Sequence, residues 1–333
     1  MTSLTLKQTI NGYSKSLLNT ETDGEKVVKI INDLHEIFKE TLGITFEEAN
    51  IQRSAAIGSK FGKALGFNYA AQCLVDYNRT QQLLKGITSA IAQKQRENPN
   101  ETIKIFYAGC GPCAPFMSLV APLYEPSDVQ FTLLDINEES IKFAEILAQK
   151  LELTEYIEGY FHGDAITAEV PKVDEYHILF SETLDSLLRR EAYVPIICNL
   201  LPQFTKDVIL IPENVQLKMS FVCFDEKEVR TEISNQIIFD SRKAVEESQK
   251  LGLIPDSFEP VKVPVKQNKN IDGIILDTEI IVFDSIKISR AESAITLPLE
   301  FGLDTPDKIK NVVFEYQLVP EVQMYTSLEL IED

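Results

Sequence analysis

The chain contains no tryptophan, and its three histidines, His35, His162 and His177, all fall in the first 177 residues. Chemistry that needs an indole, or an imidazole from the C-terminal half, is therefore excluded. Five cysteines, Cys73, Cys110, Cys113, Cys198 and Cys223, are odd in number and irregularly spaced. That argues against a disulfide framework and for reduced thiols, and no metal site is expected. No apolar run reaches the ~18 residues that a membrane-crossing helix needs. Residues 1–11 are polar and lack the apolar centre of a signal peptide, so a cytoplasmic protein that engages no membrane is expected. Basic residues are scarce: 32 Lys and Arg face 51 Asp and Glu, a net charge of −19. Such a surface repels phosphate backbones, which excludes non-specific nucleic-acid binding. It suits a cationic substrate or a basic partner, although solubility is the plainer reading.

What is present is enough for a large core. A length of 333 residues with 44% hydrophobic content allows one large or two ordinary globular domains. Val27, Ile30, Ile31, Leu34, Ile37, Phe38 and Leu42 recur at spacings of three and four, which predicts an amphipathic helix, with Gly43 placed to end it. A second helical pattern covers residues 68–95. Short apolar runs at 103–108, 129–134, 175–180 and 208–211 then alternate with helical patterns at 116–123, around 141–151 and at 187–201. Strands alternating with helices predict a doubly wound α/β fold with a mostly parallel sheet, which binds ligands at the carboxyl ends of its strands. Beyond Pro212 the pattern changes to strands at 215–224, 229–238, 274–288, 311–318 and 322–331, with a single helix at 241–251. The expected organisation is a helical segment over 1–60, a cofactor-binding α/β domain over 61–213 and a β-rich domain over 214–333.

Gly109-Cys110-Gly111-Pro112-Cys113, directly after the first strand, supports two readings. As Cys-Gly-Pro-Cys at a helix start it resembles the thioredoxin redox centre, where a helix N-terminus makes a reactive thiolate. Against that, thioredoxins carry a tryptophan before the first cysteine and a proline about forty residues on, and no proline falls between Pro126 and Pro171. As a glycine turn it lets the backbone approach a nucleotide-like cofactor. Asp135, at the end of the second strand, is then placed to accept hydrogen bonds from ribose hydroxyls. Gly163-Asp164-Ala165, after the third strand, is placed to meet an adenine amine, and Asn137 is placed to cap the helix behind Asp135. This series resembles the class I S-adenosylmethionine (SAM)-dependent methyltransferases. Each acidic residue also has a plain reading as a turn residue, and the glycines as a tight strand–helix turn.

After the fourth strand comes Ser181-Glu182-Thr183-Leu184-Asp185-Ser186-Leu187-Leu188-Arg189-Arg190-Glu191, with Glu191 nine positions after Glu182. This resembles the double-glutamate loop of the protein arginine methyltransferases. The likeness continues through Leu200-Leu201-Pro202 and Ile211-Pro212, and upstream through Asp76-Tyr77-Asn78-Arg79-Thr80. It implies SAM as cofactor, with Arg79 on its carboxylate, Gly109, Cys110 and Gly111 at its methionine part, Asp135 at the ribose, and Asp164 and Ala165 at the adenine. It also implies that Glu182 and Glu191 orient the acceptor, a guanidino or amino group of a peptide, protein or small molecule, and that the protein forms a homodimer, although the β-domain arm through which the family often dimerises is not identifiable in this sequence. Two carboxylates can clamp a planar guanidinium through paired hydrogen bonds, and one can accept the released proton. Glu191 pairing with Arg189 or Arg190 on a solvated helix is the plainer alternative.

The sequence departs from that family in lacking its Thr-His-Trp loop, since all three histidines precede the β-rich part. Phe283, Phe301 and Tyr316 are the candidate replacements. His177, within an apolar strand, reads as a core residue, and Phe61, Phe67 and Tyr69 are the residues that resemble the family's aromatic N-terminal cofactor lid. Three other readings stay open: aminocarboxypropyl transfer of the nicotianamine-synthase kind, a dithiol oxidoreductase through Cys110 and Cys113, and a non-catalytic scaffold.

Overall fold

The computed structural model describes residues 5–45, 51–225, 227–265 and 271–331. The rest of the expected N- and C-terminal segments lies outside the described residues. Helix α1 (Leu6–Leu18) opens with a capping box: the Thr5 hydroxyl accepts from the Gln8 amide, and the Gln8 side chain accepts from the Thr5 amide. It buries only the narrow strip Ile10, Ser14 and Leu17, a signal too weak to announce a helix from sequence. Helix α2 (Gly24–Leu42) buries Val27, Ile30, Ile31, Leu34, Phe38 and Leu42, and ends at Gly43 in the left-handed conformation. A short helix α3 (Ile51–Ser54) leads into a two-stranded hairpin, β1 (Ile57–Gly58) and β2 (Lys63–Ala64).

The pattern at 68–95 is not one helix. It divides into α4 (Phe67–Gln72), a 3-10 turn at Cys73–Val75, and α5 (Tyr77–Glu97). Asp76 makes the break. Its carboxylate caps the Arg79 amide at 3.3 Å and also accepts from the Ser293 hydroxyl at 2.6 Å and the Ala294 amide at 2.9 Å. The contact that places the break thus comes from residues more than 200 positions away, which periodicity cannot see.

Strand β3 (Ile103–Ala108), helix α6 (Pro115–Val120), strand β4 (Val129–Asp135), helix α7 (Glu138–Lys150), strand β5 (Ile157–His162), strand β6 (Ile178–Ser181), helix α8 (Tyr193–Leu200) and strand β7 (Ile209–Ile211) follow. The five strands form a parallel sheet in the order β5-β4-β3-β6-β7. β6 is buried at every position and β3 and β4 at nearly every one, the signature of strands covered on both faces. Helix α5 packs on β3, β6 and β7, and α7 on β4 and β5. The helix expected over 187–201 starts only at Tyr193, because Leu187 and Leu188 take left-handed backbone angles; residues 186–188 form a distorted 3-10 turn and 189–192 a loop.

From Asn214 the chain is mostly antiparallel. Strands β8 (Asn214–Phe224) and β9 (Arg230–Asp240), helix α9 (Ser241–Leu251), and strands β10 (Val261–Pro264), β11 (Gly273–Phe283), β12 (Ile286–Ile288), β13 (Leu299–Gly302), β14 (Ile309–Gln317) and β15 (Gln323–Leu330) build two sheets. One has the order β12-β11-β8-β9, with β13 also on β11; the other is β10-β14-β15. The run expected over 274–288 is two strands, turned at Asp284. Central β11 is buried almost throughout, whereas β14 alternates buried and half-buried positions with period two from Val312 onward. The chain is therefore mixed α/β with a five-stranded parallel sheet and a C-terminal antiparallel β-rich region.

Candidate functional site

In the parallel sheet the chain turns one way from β3 to β4 and the other way to β6, so a topological switch point lies at the carboxyl ends of β3 and β6. A cleft opens there. Arg79, Gly109, Cys110, Gly111, Asp135, Asp164, Ala165, Glu182 and Glu191 all line it. These residues come from six separate stretches of sequence, and the sheet brings them together.

At one wall, the turn after β3 needs glycine for two reasons. Gly109 has φ +77, and a Cβ there would stand 2.5 Å from the Thr183 methyl; Gly111 has φ +63. Asp135 closes β4 and holds this turn: one oxygen accepts from the Gly111 amide and the other from the Asn137 amide, both at 2.8 Å. Burial pushes the Asp135 carboxyl up, while those two amides pull it back. Asn137 caps α7 by accepting from the Glu139 and Ser140 amides. Asp164 accepts from the Ile166 amide at 2.9 Å and from the Ser59 hydroxyl at 2.6 Å. Its neighbour Ala165 is fixed through its carbonyl by the Asn199 side chain.

At the other wall sits a buried ion pair. Arg79 Nη2 lies 2.6 Å from Glu182 Oε2 and also donates to the Glu182 carbonyl at 2.7 Å. The Tyr107 hydroxyl donates to Glu182 Oε1 at 3.1 Å. Both residues are under 10% exposed, so each charge survives through the other. Burial pushes Glu182 up against the pull of Arg79 and Tyr107; the same burial opposes the Arg79 charge, which the carboxylates restore and hold. Arg79 Nε is buried with no partner among the described residues. Glu191 differs from Glu182. Burial, with Asp185 and Glu182 adding like charge, pushes it up to about 8 against the attraction of Arg79. The pairing of Glu191 with Arg189 or Arg190 is not among the ion pairs of the described residues.

Several contributors were not singled out by sequence reading. Asp185 shapes the loop between the two glutamates: its carboxylate accepts from the Arg190 amide at 3.0 Å, and its carbonyl from the Leu188 amide. The β1–β2 hairpin straps the cleft, with Ser59 on Asp164 at one end and the Lys63 amide on the Arg190 carbonyl at the other. Tyr107 lies inside an apolar strand, where nothing in the sequence marks its hydroxyl as polar anchor. The chain has no match among protein-family models and none among curated proteins.

Among solved structures it is similar to the Trypanosoma brucei PRMT1 enzyme–prozyme heterotetrameric complex with AdoHcy. The identity is 8% and the TM-score 0.45, over 77% of this chain and 94% of that one. So distant a likeness leaves the chemistry to be read from this chain's own residues. Those residues speak against the dithiol reading. Cys110 and Cys113 are each 1% exposed, α6 begins only at Pro115, and burial pushes both thiols up, away from the reactive thiolate. Phe61 and Phe67 are buried in the core and Tyr69 is exposed; none of the three lines the cleft. His177, half-buried just before the interior strand β6, accepts the Lys104 amide through Nδ1. No helix among the described residues is long and apolar enough to cross a membrane.

Proposed function

We propose that the protein is a SAM-dependent methyltransferase that methylates a guanidino or amino nitrogen on a peptide, protein or small molecule. The observation that carries this reading is one cleft lined by a glycine turn, two aspartates at or just after strand ends, the buried Glu182 and the half-buried Glu191. The donor fits this chain's residues in one specific respect: Arg79 lines the cleft, and its buried Nε has no hydrogen-bond partner among the described residues, so it is open to the carboxylate of a methionine moiety. Bound there, the sulfonium supplies a methyl whose carbon–sulfur bond breaks as the acceptor nitrogen attacks it.

The protein's part is to hold and deprotonate the acceptor. Glu182, fixed by Arg79 and Tyr107, offers a static negative charge toward a cationic acceptor. Glu191 has no such partner and a raised pKa, so it can accept an N–H hydrogen bond and then the proton. The cleft wall adds mainly small or aliphatic groups, Leu65, Ala192, Ile196 and Cys73, which suit the stem of a flexible aliphatic amine or guanidine. The net charge of −19 favours the approach of such a cation.

The test is calorimetric titration with SAM, followed by mass spectrometry of arginine- and lysine-containing peptides and small amines. Glu191→Gln is expected to bind SAM with nearly unchanged affinity and to lose about 10²–10⁴ of the transfer rate. Full activity in that variant, or no SAM binding by the wild type at millimolar concentration, would overturn the proposal. Release of methylthioadenosine in place of S-adenosylhomocysteine would redirect it to aminocarboxypropyl transfer.

A further inference from the structure

The loop that carries Glu191 is not held by the parallel sheet alone. Leu187 (φ 59) and Leu188 (φ 51) are consecutive left-handed residues with bulky side chains, a conformation that persists only where the surroundings enforce it. The enforcing groups come from the β-rich region. The Leu187 amide donates to Thr278 Oγ1 on β11 at 2.9 Å, and the Tyr316 hydroxyl on β14 donates to the Leu188 carbonyl at 2.7 Å. Thr278 is 1% exposed and Tyr316 2%, so neither bond has water as a substitute. Each anchor is itself rigid. The Tyr316 ring stacks on Phe239 at 4.2 Å, and Thr278 pairs with Leu217 inside the β11–β8 ladder.

Glu191 follows Leu188 by three residues, and the link between them is also fixed. Asp185 accepts the Arg190 amide, and the Arg190 carbonyl accepts the Lys63 amide. Gly62 lets the hairpin come this close, since a Cβ there would stand 2.8 Å from the Arg190 carbonyl oxygen. The loop therefore has no free hinge between the two clamped leucines and the carboxylate. We propose that Thr278 and Tyr316 are positioning residues, through which the β-rich region sets the place of the Glu191 carboxylate in the cleft. The inference rests on the methyl-transfer reading for its kinetic consequence, though not for its structural one.

Tyr316→Phe removes one hydroxyl and keeps the stacked ring; Thr278→Val removes one acceptor at constant shape; Thr278→Ser keeps that acceptor. In both Tyr316→Phe and Thr278→Val, kcat is expected to fall about tenfold or more, as displacement of a reacting group predicts. SAM affinity and the KM for SAM should stay within about twofold, because Gly109, Gly111 and Asp135 are untouched. Thr278→Ser should restore kcat, which a merely structural role for the threonine would not require. Amide hydrogen exchange at Leu187 and Glu191 supplies a readout without turnover: it should quicken in Tyr316→Phe and Thr278→Val and not in Thr278→Ser. Unchanged kcat and unchanged exchange in both variants would overturn the inference. If the wild type transfers no methyl at all, the methyl-transfer reading falls while the exchange data still decide the clamp. If Tyr316→Phe does not fold, the Thr278→Val and Thr278→Ser pair decides.

Discussion

Raising the pH from about 7 to about 9 should speed the proposed transfer roughly tenfold, and Glu191→Gln should remove that dependence. The magnitude comes from the site. Glu191 is pushed up to about 8 by burial first and then by the negative charges of Asp185 and Glu182, with Arg79 opposing. The nearby Cys73 thiol is pushed up to about 12 and stays protonated through this range. A one-proton group at about 8 is ionised to about one-tenth at pH 7 and about nine-tenths at pH 9. Because only the ionised form accepts the acceptor's proton, kcat/KM should climb on a single limb centred near that value. The assay is initial rates at constant ionic strength, with SAM affinity measured at each pH to separate binding from turnover. An amine acceptor titrates in the same region, so the variant is the decisive control: its profile must lose the limb along with about 10²–10⁴ of rate. A flat wild-type profile, or a limb that survives in Glu191→Gln, would refute the assignment of Glu191 as the proton acceptor.

The same group has a consequence for stability. Its folded pKa lies above the ordinary 4.5, so its favourable contribution is complete below that value and is lost as pH rises through about 8. Urea unfolding of the wild type should weaken across that window, and Glu191→Gln should flatten the slope. Glu182→Gln leaves the Arg79 cation buried without its counter-charge and should cost about 3–5 kcal/mol, part of it recovered in Arg79→Gln/Glu182→Gln. Additive losses in that double-mutant cycle would contradict the coupling. Gly109→Ala meets both a positive φ and the Thr183 methyl at 2.5 Å, so SAM affinity should fall by tenfold or more while the far-ultraviolet spectrum is retained. Cys113→Ser should keep methyl transfer within a few-fold, whereas a dithiol mechanism requires its complete loss.

Periodicity carried α2, since a stripe of six buried apolar residues leaves one arrangement for the helix. The continuous apolar runs of β3, β4 and β6 likewise announced a covered parallel sheet. The residues at those strand ends were also legible, because a parallel sheet exposes the same end of every strand to one cleft. The sequence was silent where geometry depends on remote partners. The break at Asp76 needs Ser293 and Ala294, and the loop over 186–192 needs Thr278 and Tyr316 to hold two leucines in a left-handed conformation. Nor does spacing reveal that Glu182 is bound to Arg79 while Glu191 stands apart. Local pattern and composition thus determined which segments become strands and helices, because backbone geometry and apolar burial act over a few residues. Tertiary structure alone decided which of the two glutamates pairs with Arg79, because desolvation and ion pairing depend on groups brought together from across the chain.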